Sequence, residues 1–510
     1  MAALRGGTRA VEGRFQANGG GGGMAPSSRL LAAHREAKPR SNHSAAPWKL
    51  PRRRAGTMPL WRVAVFASVA LNVATLALLL HHYATSPPPP HNHHDTGLTL
   101  SSDAVHRRAR TASSMAPSTG KPAVTPDSVI NLDHGDPTMF EAFWRETGDA
   151  AELVIPGWQT MSYFSDVTNV CWFLEPELDR QVRRLHRVVG NAAVDGYHVL
   201  VGTGSTQLFM AALYALAPDS SSSAAGGDAG DEPISVVSTA PYYSSYPAVT
   251  DFLRSGLFRW AGDADTFKGD SYIELVCSPN NPDGTIREAV LDSKTSNGKT
   301  VHDLAYYWPQ YTPITKRAAH DIMLFTVSKS TGHAGTRIGW ALVKDRAIAR
   351  KMTKFVELNT IGVSKDSQMR AAKVLAAVSD GYERRPEQTK ETMTTHPPPP
   401  PRLFDFGRRK MVERWSMLRA AAAASGIFSL PEETSGFCNF TKETAATNPA
   451  FAWLRCDRED VEDCAGFLRG HKILTRSGAQ FGADARYVRV SMLDRDDAFD
   501  IFVNRLSSLK

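Results

Sequence analysis

Five short apolar runs punctuate the middle of this chain: YHVLVG (Tyr197–Gly202), ISVVS (Ile234–Ser238), YIELVC (Tyr272–Cys277), IMLFTVS (Ile322–Ser328) and IGWALV (Ile338–Val343). They are rich in β-branched residues, and stretches with helical patterning separate them. Strands alternating with helices predict an α/β unit built on a mostly parallel sheet. After Phe404 the pattern changes. A long helix over Gly407–Ala424, a strand over Tyr487–Leu493 and a closing helix over Asp496–Leu506 predict a smaller α+β lobe. Two lobes leave a cleft between them, and ligands of α/β folds collect at the carboxyl ends of the strands.

Charge separates the chain into parts. Residues 1–60 hold eleven Lys/Arg and two Glu, so the overall +7 leaves residues 61–510 near −2. The body therefore has no electrostatic reason to bind nucleic acid. Residues 1–59, with a Gly19–Gly23 run, are expected to be a disordered basic tail. Leu60–Leu80 (LWRVAVFASVALNVATLALLL) is nearly all apolar, with Arg62 and Asn72 its main exceptions, and about 20 such residues span a bilayer as a helix. A cleaved signal peptide would be shorter and start earlier. Residues 1–59 resemble an organelle-targeting leader in composition, but such a leader does not explain the apolar run. A single-pass anchor is expected, with the Arg52–Arg54 side cytosolic. That puts the body in the lumen, where the sequon Asn439–Thr441 would meet glycosylation. Residues 81–126 read as a Pro/His/Ser-rich linker, and the catalytic region as 127–510. Its large domain is expected over about 160–355, and its small domain over about 127–159 and 356–510. Asp219–Asp231 and Arg384–Arg402 read as polar surface insertions. The five cysteines lack CxxC spacing, which argues against zinc and against a disulfide framework; they read as buried small hydrophobes.

The chemistry concentrates between Val301 and Trp340. Asp303 is followed by Tyr306, and 23 residues after Asp303 begins TVSKSTGHAGTRIGW, with Arg337 eight residues past Lys329. This ordered set suits pyridoxal 5′-phosphate. Lys329 can form a Schiff base with the cofactor aldehyde. Asp303 can pair with the pyridinium nitrogen and keep the ring an electron sink. Tyr306 can donate to the ring phenolate oxygen, and Arg337 can bind the phosphate as a planar fork.

Four further segments gain meaning from that set. GTGSTQLFMAAL (Gly202–Leu213) turns from strand to helix, so helix N–H groups and the hydroxyls of Ser205 and Thr206 could meet a phosphate. By itself it is only a capped turn. SPNNPDG (Ser278–Gly284) reads as a β-turn or as a loop aiming Asn281 at the phenolate oxygen. Tyr243 in PYYSSY offers a face for the pyridine ring, or is a core aromatic. Arg489 alternates with Val488 and Val490, so it either clamps a substrate carboxylate or is a solvated strand arginine. Tyr163 in MSYFSD reads as a loop tyrosine.

The motifs NLDHGDPTMFEAFW, MSYFSD, NVCWFLEPEL, VGTGSTQL, SPNNPDGTIRE, HDLAYYWPQYTPIT, DIMLFTVSKSTGHAGTRIGWALVKD, GVSKDSQ and RVSML occur in this order from Asn131 to Leu493. They resemble the plant alliinase/tryptophan-aminotransferase family, within the fold-type I pyridoxal-phosphate aminotransferases. The likeness is greatest to its membrane-anchored tryptophan aminotransferase-related branch in auxin biosynthesis. The resemblance implies that Lys329 carries the cofactor, that Asp303 is the pyridinium partner, and that Tyr306 and Asn281 contact the phenolate oxygen. It implies a phosphate cup of Ser205, Thr206, Ser328 and Arg337, with Thr326 adding to it. It also implies a homodimer in which Tyr163 reaches the neighbouring subunit's phosphate, and Arg489 on the substrate carboxylate.

The implied reaction converts L-tryptophan and a 2-oxo acid such as pyruvate to indole-3-pyruvate and the matching amino acid, at the endoplasmic reticulum membrane. The side of the membrane stays open, because auxin precursors point to cytosolic chemistry. A C–S lyase acting on cysteine sulfoxides is the alternative on the same scaffold. The cysteine-rich module that opens mature alliinases has no counterpart before Asn131, which weighs against it. A non-catalytic membrane-tethered scaffold would show eroded cofactor positions, and Asp303, Tyr306, Lys329 and Arg337 are intact.

Overall fold

The computed structural model describes residues 124–218, 232–292, 297–383 and 402–510. The expected tail, membrane span and most of the linker lie outside them, as do the insertions at 219–231 and, except for Arg402, at 384–402. No helix among the described residues is long and apolar enough to cross a membrane.

Along the chain come β1 (Ile130–Asn131), α1 (Glu141–Thr147), α2 (Pro176–Val189), β2 (His198–Thr203), α3 (Gly204–Leu216), β3 (Ile234–Ser238), α4 (Ser245–Phe252) and β4 (Phe258–Asp263). Then follow β5 (Tyr272–Cys277), β6 (Lys299–Asp303), β7 (Ile322–Thr326), the single turn α5 (Val327–Ser330), β8 (Ile338–Val343), α6 (Arg346–Thr360) and α7 (Lys365–Glu383). The C-terminal part contains α8 (Leu403–Ser425), β9 (Phe428–Ser429), β10 (Ser435–Cys438), β11 (Glu443–Ala446), β12 (Phe451–Cys456) and α9 (Cys464–Gly470). It closes with β13 (Ile473–Leu474), β14 (Arg476–Ser477), β15 (Tyr487–Ser491) and α10 (Asp496–Ser508).

The large sheet has seven strands in the order β2-β8-β7-β6-β5-β3-β4. It is parallel except for β8, which runs antiparallel to both β2 and β7. This confirms an α/β fold with a mostly parallel sheet. Every residue of β5, β7 and β8 is buried, as expected for strands covered on both faces. Glu274 is buried inside β5, and its carboxylate accepts from the backbone N–H groups of Val290 (2.8 Å) and Leu291 (3.2 Å). Helix α2 turns Leu178, Val182, Leu185 and Val189 inward at helical spacing. Helix α6 starts at Asp345, whose side chain accepts from Ile348 N at 2.8 Å.

A second sheet, in the order β14-β15-β12-β9, is antiparallel and carries Arg489 on β15. The short β1 pairs in parallel with β13, so the first described strand is tied to the C-terminal part of the chain. The cysteine reading needs correction. Cys171, Cys277 and Cys438 are free and buried, but Cys456 and Cys464 form a disulfide. It joins the end of β12 to the start of α9, a contact that sequence spacing does not announce.

Candidate active site

The expected site residues meet because the strands end side by side. Asp303 ends β6, Thr326 ends β7, and Cys277 ends β5 just before the Asn281 loop. One pocket at these ends is lined by Ser205, Thr206, Tyr243, Asn281, Asp303, Tyr306, Thr326, Ser328, Lys329 and Arg337. Cys277, Ala305 and Ala334 complete it. A wider basic cleft lies by Arg187, Tyr382 and Arg402. It gathers none of these groups, so the chemistry belongs to the smaller pocket.

Lys329 sits on α5, the turn that interrupts the predicted strand Ile322–Ser328 after Thr326. The Thr326 hydroxyl caps that turn, accepting from Ser328 N at 3.2 Å. The Lys329 ammonium donates to the carbonyl of Gly135, and its nitrogen lies 5.8 Å from the Tyr306 ring centre. Burial, then the positive charges of Arg489 and Arg337, lower its pKa to about 8 against the pull of Asp136. A lysine so placed is a base near neutral pH. A side chain at Gly135 would meet Phe451 at 2.8 Å and Lys329 Nζ at 3.0 Å, so only glycine fits beside the amine.

Asp303 accepts from Ala305 N (3.2 Å) and from the Tyr246 hydroxyl (3.1 Å). Burial pushes its carboxyl up, against those two bonds. Tyr246 escaped the sequence reading; it lies in the first turn of α4, three residues after Tyr243, and nothing local marks it as the partner of a residue 57 positions away. Tyr243 stands edge-on to Tyr246, with ring centres 5.3 Å apart. Tyr306 is buried, which raises its phenol well above the ordinary value.

On the opposite wall, Gly204 begins α3 at φ +73°, and a Cβ there would lie 2.5 Å from Arg337 Nη2. The guanidinium of Arg337 thus lies against the helix N-terminus, beside Ser205 and Thr206, and its backbone carbonyl accepts from Gly204 N at 3.0 Å.

Arg489 is 2% exposed and lies beside the pocket rather than in its wall. It donates to Asn281 Oδ1 at 3.0 Å and to the Asp133 carbonyl, and stacks on Phe451 with its guanidinium carbon 4.2 Å from the ring centre. Its Nε has no hydrogen-bond partner. Burial and nearby Arg476 lower its pKa to about 10. Asp133 in turn accepts from Arg476 Nε at 2.6 Å, a second pair absent from the sequence reading. The alternative of a solvated strand arginine is excluded for Arg489. Tyr163 is not brought to the pocket. It is 68% exposed and lines a separate surface hollow with Ile361 and Lys365.

The fold is that of the fold-type I pyridoxal-phosphate aminotransferases. An aminotransferase from Staphylococcus aureus superposes with a TM-score of 0.52 at 17% identity, covering 77% of this chain and 97% of that one. Residues 130–510 match the family described as Allinase, and the chain belongs to that family. It is 92% identical to tryptophan aminotransferase-related protein 2 of Oryza sativa subsp. japonica over the whole of both chains. It is 54% identical to the Arabidopsis thaliana protein of the same name, over 75% of this chain and 82% of that one. Alliin lyase 1 of Allium sativum is 35% identical over 72% of each chain.

The cofactor is pyridoxal 5′-phosphate. The pocket fits it. A carboxyl raised by burial at Asp303 suits a cationic ring nitrogen, Lys329 offers an amine, and Arg337 with the start of α3 offers donors to a phosphate. The geometry supports a pyridoxal-phosphate enzyme of aminotransferase type or a related lyase.

Proposed function

We propose that this protein transfers the amino group of L-tryptophan to a 2-oxo acid such as pyruvate, forming indole-3-pyruvate and the matching amino acid for auxin synthesis. The names of the rice and Arabidopsis relatives support the substrate. The observation that carries the reading is the grouping of Lys329, Asp303 and Asn281 with Arg489, which is bonded to Asn281.

The bound cofactor supplies an electron sink that makes the substrate Cα–H acidic. Asp303, held by Tyr246, would pair with the ring nitrogen and keep it protonated. Tyr306 and Asn281 present donors to the phenolate oxygen, and Tyr243 offers its face to the ring. Ser205, Thr206, Thr326, Ser328 and Arg337 would hold the phosphate. The Arg489 guanidinium takes the substrate carboxylate, giving up its contact with the Asp133 carbonyl. Lys329 Nζ, neutral above about pH 8, then removes the Cα proton.

Val154, Trp158, Met161, Tyr163, Phe164 and Val167 are all exposed, and burial of this segment in a homodimer would bring Tyr163 to the neighbouring phosphate. Leu60–Leu80 anchors the chain in the membrane of the endoplasmic reticulum. A mass shift of the Asn439–Thr441 segment on glycosidase treatment would mark a lumenal body, and its absence in membrane-inserted protein a cytosolic one.

Incubation with L-tryptophan and pyruvate should yield indole-3-pyruvate and alanine in equal amounts. The alliin lyase relatives favour one other outcome, direct release of pyruvate from a cysteine sulfoxide without an amino acceptor. That result, with no tryptophan turnover, would replace this reading by the lyase.

A further inference from the structure

We propose that Glu288, His302 and His320 form a binding site for a first-row divalent cation of the zinc type, separate from the cofactor pocket. The three side chains come from different segments: the loop after β5, strand β6, and the approach to β7. Their ligand atoms all lie within 4.8 Å of one another. Two histidines and a carboxylate are a donor set that suits zinc and its neighbours, leaving room for water at the fourth position. Successive strand residues face opposite sides, so His302 leaves the sheet away from Asp303, and the inference does not rest on the proposed reaction.

One observation beyond the clustering points to a ligand. His302 is 7% exposed, and its Nδ1 is buried without a hydrogen-bond partner. A buried polar atom is ordinarily satisfied, and a metal would satisfy this one. The His302 and His320 rings lie parallel with centres 3.4 Å apart and planes 9° apart. Stacked face to face, the two rings cannot both aim in-plane lone pairs at one ion, so binding requires the less buried His320 ring to turn out of the stack. Burial keeps both rings neutral, His302 down to about 3, so their lone pairs are available. Ligands about 2.1 Å from a tetrahedral ion sit roughly 3.4 Å apart. Rotation of the exposed Glu288 side chain closes the remaining distance. The ammonium of Lys316 already pairs with the Glu288 carboxylate, so one cation occupies the charge position that the metal would take.

Cobalt(II) serves as the probe, because its visible absorption reports imidazole and carboxylate ligation. The full chain is purified without a polyhistidine tag, stripped with chelator and titrated. Because His91, His93 and His94 are further candidate cobalt ligands, the readout is the difference between wild type and variants. Wild type should bind one equivalent more than His320→Ala, and that band should also be lost or weakened in Glu288→Gln. Both residues have exposed surface, and matching near-ultraviolet dichroism verifies folding. Lys316→Met, which removes the competing ammonium, should tighten binding about two- to fivefold, the worth of an exposed ion pair. Equal cobalt binding by wild type and either ligand variant would overturn the site. So would unchanged or weaker binding in Lys316→Met.

Discussion

Arg489→Met tests the proposed substrate clamp with the least disturbance of its surroundings. Methionine is close in length to the arginine stem and apolar enough to lie against Phe451 and Phe481, whose ring centres are 4.2 and 5.3 Å from the guanidinium carbon. What is lost is the planar fork, now bonded to Asn281 Oδ1 and the Asp133 carbonyl. A bidentate grip on a carboxylate uses two charge-assisted hydrogen bonds, each about 1.5–3 kcal/mol. Their sum, about 3–6 kcal/mol, corresponds to roughly 10²- to 10⁴-fold in rate. Arg489→Lys keeps charge without the fork and should lose roughly 10- to 150-fold, one such bond. The assay is kcat/KM for L-tryptophan at saturating pyruvate, read by indole-3-pyruvate absorbance, with cofactor absorbance confirming that each variant stays loaded. Methionine leaving kcat/KM within about threefold of wild type, less than one neutral hydrogen bond, would refute the clamp.

Further expectations follow from the same geometry. In the substrate-loaded enzyme kcat should rise as pH approaches about 8 and level off above it, because Lys329 must lose its proton to act as a base. Arg489→Met should move that inflection upward by removing a positive charge that favours the neutral amine; an unmoved inflection would assign the titration elsewhere. Gly204→Ala places a methyl 2.5 Å from Arg337 Nη2 at a positive φ. Strain of about 1–3 kcal/mol should weaken cofactor retention roughly 5- to 150-fold in a pyridoxal-phosphate titration. Tyr246→Phe removes one hydrogen bond to Asp303 and should slow turnover roughly two- to tenfold without loss of cofactor. Cys456→Ser should lower stability by about 2–3 kcal/mol for a loop this short, seen as a lower urea midpoint and reproduced in wild type by reductant.

The strands most legible from residue pattern are those buried on both faces. ISVVS and YIELVC become β3 and β5 over the predicted residues, and IGWALV becomes β8. Its antiparallel direction is a matter of connection, and pattern is silent there: the link from Thr326 to Ile338 contains only a one-turn α-helix and a short 3-10 turn over Ala334–Thr336. FRWAGD (β4) mixes arginine, glycine and aspartate at the sheet edge, so its alternation is too weak to recognise. The IMLFTVS run ends as a strand two residues early, where Thr326 caps the turn that carries Lys329. Motif order pointed to most of the residues that line the pocket, though not Cys277, Ala305 or Ala334, because the strand ends gather them. It missed Tyr246 on Asp303, Arg476 on Asp133 and the Cys456–Cys464 bond. These are tertiary pairings between segments whose local sequence is ordinary.

The most direct test of the account is where pyridoxal phosphate attaches. Loaded protein reduced with borohydride and digested should carry the cofactor on the peptide containing Lys329, and Lys329→Ala should lose both the label and tryptophan turnover. Label on another lysine, or full turnover by Lys329→Ala, would contradict it.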